Sequence, residues 1–90
     1  MKPGPLTAER QRTHGEWEAT ARIAQRLKLI IAEELALKRG PRPSPQQTEA
    51  LCMILAKIAR IVSGDSSHPD HWDDIAGYAL LGKGDKGGPP

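Results

Sequence analysis

The chain has 90 residues, a net charge of +2 and one cysteine, with most of its eight prolines and nine glycines gathered in the ends and linkers. That describes one small domain whose core supplies only about 3 to 5 kcal/mol, so association with further copies is expected to complete it. The lone thiol of Cys52 excludes an internal disulfide and a zinc knuckle. The lack of a signal-peptide run or of roughly 20 consecutive apolar residues points to a cytoplasmic protein, not a secreted or membrane one.

Charge is unevenly distributed. Residues 1–42 hold nine Lys or Arg against five Glu, and residues 43–90 hold four against six acids. Glu18 with Arg22 and Glu34 with Lys38 are i,i+4 pairs that neutralise part of the basic half. A nucleic-acid groove needs a denser basic stripe and stacking aromatics, whereas this chain has two Trp, one Tyr and no Phe. Nucleic-acid binding through Arg22, Arg26 and Lys28 is therefore the minor alternative.

Residues 1–12, with Pro3, Gly4 and Pro5, show no sustained periodicity and read as a leader. From Thr13 to Lys38 the spacing predicts one long amphipathic helix, its stripe formed by Trp17, Ala21, Ala24, Leu27, Ile31 and Leu35 and widened by Ile23 and Ile30. Gly40, Pro41 and Pro43 stop it. A second helix starts at Ser44 with a Ser-x-x-Gln capping box to Gln47 and Pro45 at the first helical position. Its apolar residues, from Leu51 to Val62, run almost all the way round, which predicts a central helix covered on more than one side. Gly64 ends it.

The third helix is expected to start between Ser67 and Asp70, bury Trp72, Ile75, Ala76, Ala79 and Leu80, and use Gly77 for a close backbone approach. The expected fold class is all-α: a three-helix protomer over residues 13–82, too small to close a bundle alone and so completed by oligomerisation, with a flexible tail at 83–90.

The polar residues of Lys57 to Leu81 are the candidate site. Asp70, Asp73 and Asp74 lie in the first turn of the third helix, where acids complement the helix dipole. Asp70 and Asp74 also stand one turn apart on one face, a geometry that suits Mg²⁺. Lys57 and Arg60 form the polar edge of the second helix; they either pair with those acids or take phosphate oxygens. His68, His71 and Asp74 make an H-x-x-H-x-x-D pattern that could present zinc ligands, although His68 precedes Pro69 and no H-E-x-x-H is present. His14 and Glu16, in T-H-G-E-W, would close the site from the first helix, and Tyr78 follows Asp74 by one turn. No nucleophile triad, phosphate-binding glycine loop or cysteine pair occurs.

The segments T-H-G-E-W from Thr13, Gln25-Arg26-Leu27-Lys28, E-A-L-C-M-I-L-A-K-I-A-R-I from Glu49 and H-P-D-H-W-D-D-I-A-G-Y-A from His68 resemble a group of small phage and prophage proteins of unknown function. The resemblance covers Thr13 to Leu81. Its Lys-x-x-Arg and Asp-x-x-x-Tyr pattern is also similar to phage nucleotide-modification-associated domains, and through them to MazG-type all-α nucleotide pyrophosphohydrolases. It implies a multi-chain helical bundle, a dimer in the simplest case, in the cytoplasm of a bacterial host. Its implied chemistry is binding of a nucleoside triphosphate at Lys57, Arg60, His14, Glu16 and Tyr78, with Mg²⁺ on Asp70 and Asp74 assisting hydrolysis between the α and β phosphates. The Glu-x-x-Glu of MazG-type enzymes is absent here, and only Asp70 with Asp73 has the required spacing in a helical setting. The rival expectation is a non-catalytic phage protein that binds or inhibits a host factor, with the polar cluster serving only to fasten the helices.

Overall fold

The computed structural model describes residues 9, 10, 12 and 14–84. Of the expected leader and tail, residues 1–8, 11 and 85–90 lie outside the described residues. Three helices, α1 (Trp17–Leu37), α2 (Pro45–Ser63) and α3 (Pro69–Lys83), carry the fold, and there is no strand among the described residues. The all-α, three-helix expectation holds.

The first helix departs from expectation at its start. Glu9, Arg10, Arg12 and His14 are already helical, with Arg12 paired to Glu9, so this part of the expected leader has regular structure. The chain then breaks at Gly15 and Glu16 before α1 begins. Gly15 has a φ of 80°, a left-handed value, and a Cβ placed there would lie 2.1 Å from the Ser63 hydroxyl and 2.7 Å from its carbonyl carbon. Only glycine allows the turn to sit this close to the end of α2. A helical periodicity running through residue 15 hides such a break, because one residue's dihedral leaves the apolar spacing intact.

Helix α2 starts as its sequence dictates. The Gln47 N–H donates to the Ser44 hydroxyl at 3.1 Å and the Ser44 N–H donates to the Gln47 side chain at 2.9 Å, a complete capping box. It is also the central helix. From Cys52 to Ile61 none of its residues is exposed, and it packs against both α1 and α3. Both neighbours run antiparallel to it, since Thr20 meets Ser63 on one side while Lys57 meets Asp74 and Gln46 meets the Leu81 carbonyl on the other.

The protein is thin, 19 Å across its shortest direction, under two helix diameters. No helix is surrounded, and the buried apolar residues among those described are the alanines Ala24, Ala50 and Ala59. Trp17, Ile30 and Ile31, expected in the buried stripe of α1, are exposed. An apolar groove of about 120 Å³ stands open between Ile31 and Leu35 of α1 and Leu51 and Leu55 of α2.

Helix α3 presents a different face from the one its apolar spacing suggests. Trp72 is 55 % exposed, and Ala76, Ala79 and Leu80 are exposed as well. The inward face consists of His71, Asp74, Ile75, Tyr78 and Gly82, at helical spacing. Trp72 still anchors the loop, through its indole N–H, which donates to the Ser66 carbonyl at 2.8 Å. Gly77 approaches nothing within 4 Å; the close glycine is Gly82, whose position for a Cβ lies 3.0 Å from the Ala50 side chain. The helix ends at Gly84, with a φ of 92°. Its face is set by what α2 offers: Lys57 attracts Asp74, and the small side chain of Ala50 admits Gly82.

Candidate functional site

The site lies where the end of α2, the start of α3 and the turn at residue 14 meet. Two local structures build it. First, the turn between α2 and α3 is closed by Asp65, whose carboxylate accepts from the Ser67 N–H at 2.9 Å and whose carbonyl accepts from the His68 N–H at 3.1 Å. Its α3 end has His68 in the N-cap position and Pro69 at the first helical position, inside the Ser67 to Asp70 window expected from sequence. With α3 under way at Pro69, His68 and His71 fall one turn apart on one side.

Second, a hydroxyl pair clamps the residue-14 turn to α2. Ser63 donates to the Ala59 carbonyl at 2.8 Å, which makes Thr20 the donor to Ser63 across 2.8 Å, and the His14 carbonyl lies 3.3 Å from Thr20 Oγ1. Thr20 and Gly15 are buried, and the clamp delivers the His14 ring to the other two histidines.

The three histidines of the chain converge. One ring nitrogen from each of His14, His68 and His71 lies within 4.8 Å of the others. The ring centroids are 4.6 Å apart for His14 and His71, 4.9 Å for His68 and His71, and 5.4 Å for His14 and His68. His71 forms the floor at 1 % exposure, while His14 and His68 are half-buried and border solvent. Asp70 approaches from the rim, its carboxylate 3.6 Å from His68 Nε2. The His14 imidazole is held below its ordinary pKa, first by burial and then by the charges of Arg10, His71, Arg60 and His68. Neutral imidazole is the form that ligates metals and accepts hydrogen bonds.

The remaining candidates divide. Lys57, 12 % exposed, donates to Asp74 at 2.8 Å, an ion pair that fastens α2 to α3. Asp74 is pulled below the ordinary carboxylate range by that hydrogen bond first, against a smaller opposing effect of burial, and then by the charges of Lys57, His71 and Arg60. Arg60 is half-buried and stands close enough to act on both His14 and Asp74. Tyr78 shares the inward face of α3, and its hydroxyl makes no hydrogen bond among the described residues. Glu16 is exposed in the N-cap position of α1, and only its backbone is engaged, accepting from the Thr20 N–H at 2.9 Å. Asp70 and Asp74 are drawn to different partners, His68 and Lys57, and join no convergent group of three or more metal-ligating side chains among the described residues.

The Asp74 pair has a pH signature. The folded state binds a proton at Asp74 less readily than the unfolded chain does, so its stabilisation is present above the ordinary carboxylate value of 3.8 and is lost as pH falls through the lowered folded value. Melting temperatures of wild type and Asp74→Asn should therefore differ at neutral pH and converge in acid. A gap that persists in strong acid would show that the pair is not its source.

Sequence reasoning reached His14, His68, His71, Lys57, Arg60 and Asp74 and offered the pairing of Lys57 with Asp74, but not the grouping of the three histidines. It joined His68 and His71 to Asp74, whereas the third imidazole comes from a residue more than fifty positions away. Thr20 and Ser63, which set that geometry, carry no spacing signal at all. The glycine after His14 was the one available clue, since a glycine at a helix start often marks a required turn.

Neither a curated protein nor a solved structure matches the chain. Residues 5–84, which include all three helices and all three histidines, match the family described as Domain of unknown function (DUF6378), and the chain belongs to that family.

Proposed function

We infer that this chain is a phage-type helical protein of nucleotide metabolism that binds a phosphorylated nucleotide at the α2–α3 junction. The observation that carries the reading is Arg60. It is half-buried beside His14 and Asp74, and its guanidinium has no hydrogen bond or ion pair among the described residues. A guanidinium held in that state is suited to phosphate oxygens, which it can take in bidentate fashion. Lys57 and Arg10 add positive charge nearby, and Mg²⁺ would arrive on the nucleotide phosphates, with Asp70 at the rim to receive it. The kinship to MazG-type enzymes belongs to this reading, as does the cytoplasm of a bacterial host. Turnover, if present, would release pyrophosphate and a monophosphate.

The same reading makes the protein a homodimer. Ile31, Leu35, Leu37 and Leu51 line one open apolar depression between α1 and α2, which a second copy would cover. Particle mass in solution should then be twice the 9.8 kDa of one chain.

Titration with each nucleoside triphosphate in Mg²⁺ tests the site. At least one nucleotide should raise the melting temperature, and Arg60→Ala should weaken its binding by about tenfold or more, the loss of one or two charge-assisted hydrogen bonds. No thermal shift with any nucleotide would overturn the reading. It would favour the alternative, a non-catalytic protein that binds a host factor, which the Lys57–Asp74 fastening pair and the exposed apolar surface also suit.

A further inference from the structure

We propose that His14, His68 and His71 are the ligands of a divalent transition-metal site, with Zn²⁺ the ion their chemistry fits best. The proposal does not depend on nucleotide binding. Every histidine in the 90-residue chain is in this cluster, and His14 joins it from more than fifty positions away in the chain. Simple edge-to-face packing of rings explains the centroid distances, but any aromatic pair satisfies it. It does not explain why three imidazoles turn ring nitrogens to within 4.8 Å of one another.

The distances are close to those an ion requires. Zinc–nitrogen bonds of about 2.05 Å in a tetrahedral arrangement place ligand nitrogens about 3.4 Å apart. From 4.8 Å, small rotations of His14 and His68, the two half-exposed rings, close that gap while the buried His71 stays fixed. The donor set decides the metal. Three imidazoles and no convergent carboxylate suit Zn²⁺ and its neighbours, whereas Mg²⁺ prefers oxygen. Three protein ligands would leave a fourth position on the solvent side for water or an anion.

Surrounding charge is compatible with a cation. Arg10 and Arg60 oppose it, and Asp70 and Asp74 offset them, with the Asp70 carboxylate 3.6 Å from His68 Nε2, where it can orient the ring.

The test uses the full chain without an affinity tag, stripped of metal and titrated with ZnCl₂ by calorimetry. One ion should bind per chain. His14→Asn and His68→Asn, both at half-exposed positions, should each weaken binding by on the order of 100-fold, at or beyond the upper end of what losing an outer-shell partner does. Circular dichroism establishes that each variant remains helical. Because substitution could disturb folding, a second readout uses the wild type alone: Zn²⁺ should shift the imidazole ¹⁵N resonances of all three histidines, and excess Mg²⁺ should not reverse the shifts. Failure of the wild type to bind Zn²⁺, binding unchanged in both folded variants, or any one histidine left unshifted overturns the proposal.

Discussion

Gly15→Ala is expected to cost about 2 to 5 kcal/mol of folding stability and to detach His14 from the other two histidines. Two penalties add. A left-handed φ costs a non-glycine residue roughly 1 to 2 kcal/mol. The new methyl would also lie 2.1 Å from the Ser63 hydroxyl and 2.7 Å from backbone carbon, and backbone cannot swing aside as a flexible side-chain tip does. Forcing such a contact costs about 1 to 3 kcal/mol more. Urea denaturation measures the sum. Gly15→Asn separates the parts, since asparagine tolerates the left-handed region but brings the same Cβ. If both variants lose less than about 1 kcal/mol, the turn is not held against α2 as described.

Ala59→Leu should lose about 3 kcal/mol, the upper part of the range for overpacking. Ala59 is 0 % exposed, lies one turn before Ser63 on the central helix, and its carbonyl accepts the Ser63 hydroxyl. Three extra carbons there have no free volume to enter, so α2 must move away from its neighbours. The same substitution at exposed Ala36 should change stability by less than about 0.5 kcal/mol, because leucine is nearly as good a helix former as alanine. Equal costs at the two positions would mean that Ala59 is not enclosed. Both positions support the histidine cluster: Gly15 forms its turn, and Ala59 holds the Ser63 clamp.

The legibility of the fold differed from element to element. Helix α2 could be read almost completely, because a capping box is a local hydrogen-bond pattern and an apolar circumference is a local composition. Its neighbours depended on contacts with α2. The apolar spacing of α3 favoured Trp72 and Leu80, but the helix turned His71, Asp74 and Gly82 inward, where Lys57 and Ala50 await them. A hydrophobic stripe reports which side chains avoid water, not which neighbour is available to cover them. In a chain this thin, apolar residues can remain outside.

What the sequence by itself determined is the number and order of the helices, the caps of α2 and the residue types gathered near the α2–α3 turn. Those follow from propensity, spacing and turn chemistry, which act within a few residues. Only the tertiary structure decided the grouping of His14 with His68 and His71, the commitment of Lys57 to Asp74 and the exposure of Trp72. Each of these depends on how antiparallel helices settle against α2, and on a glycine turn whose value is set by the position of Ser63, forty-eight residues away.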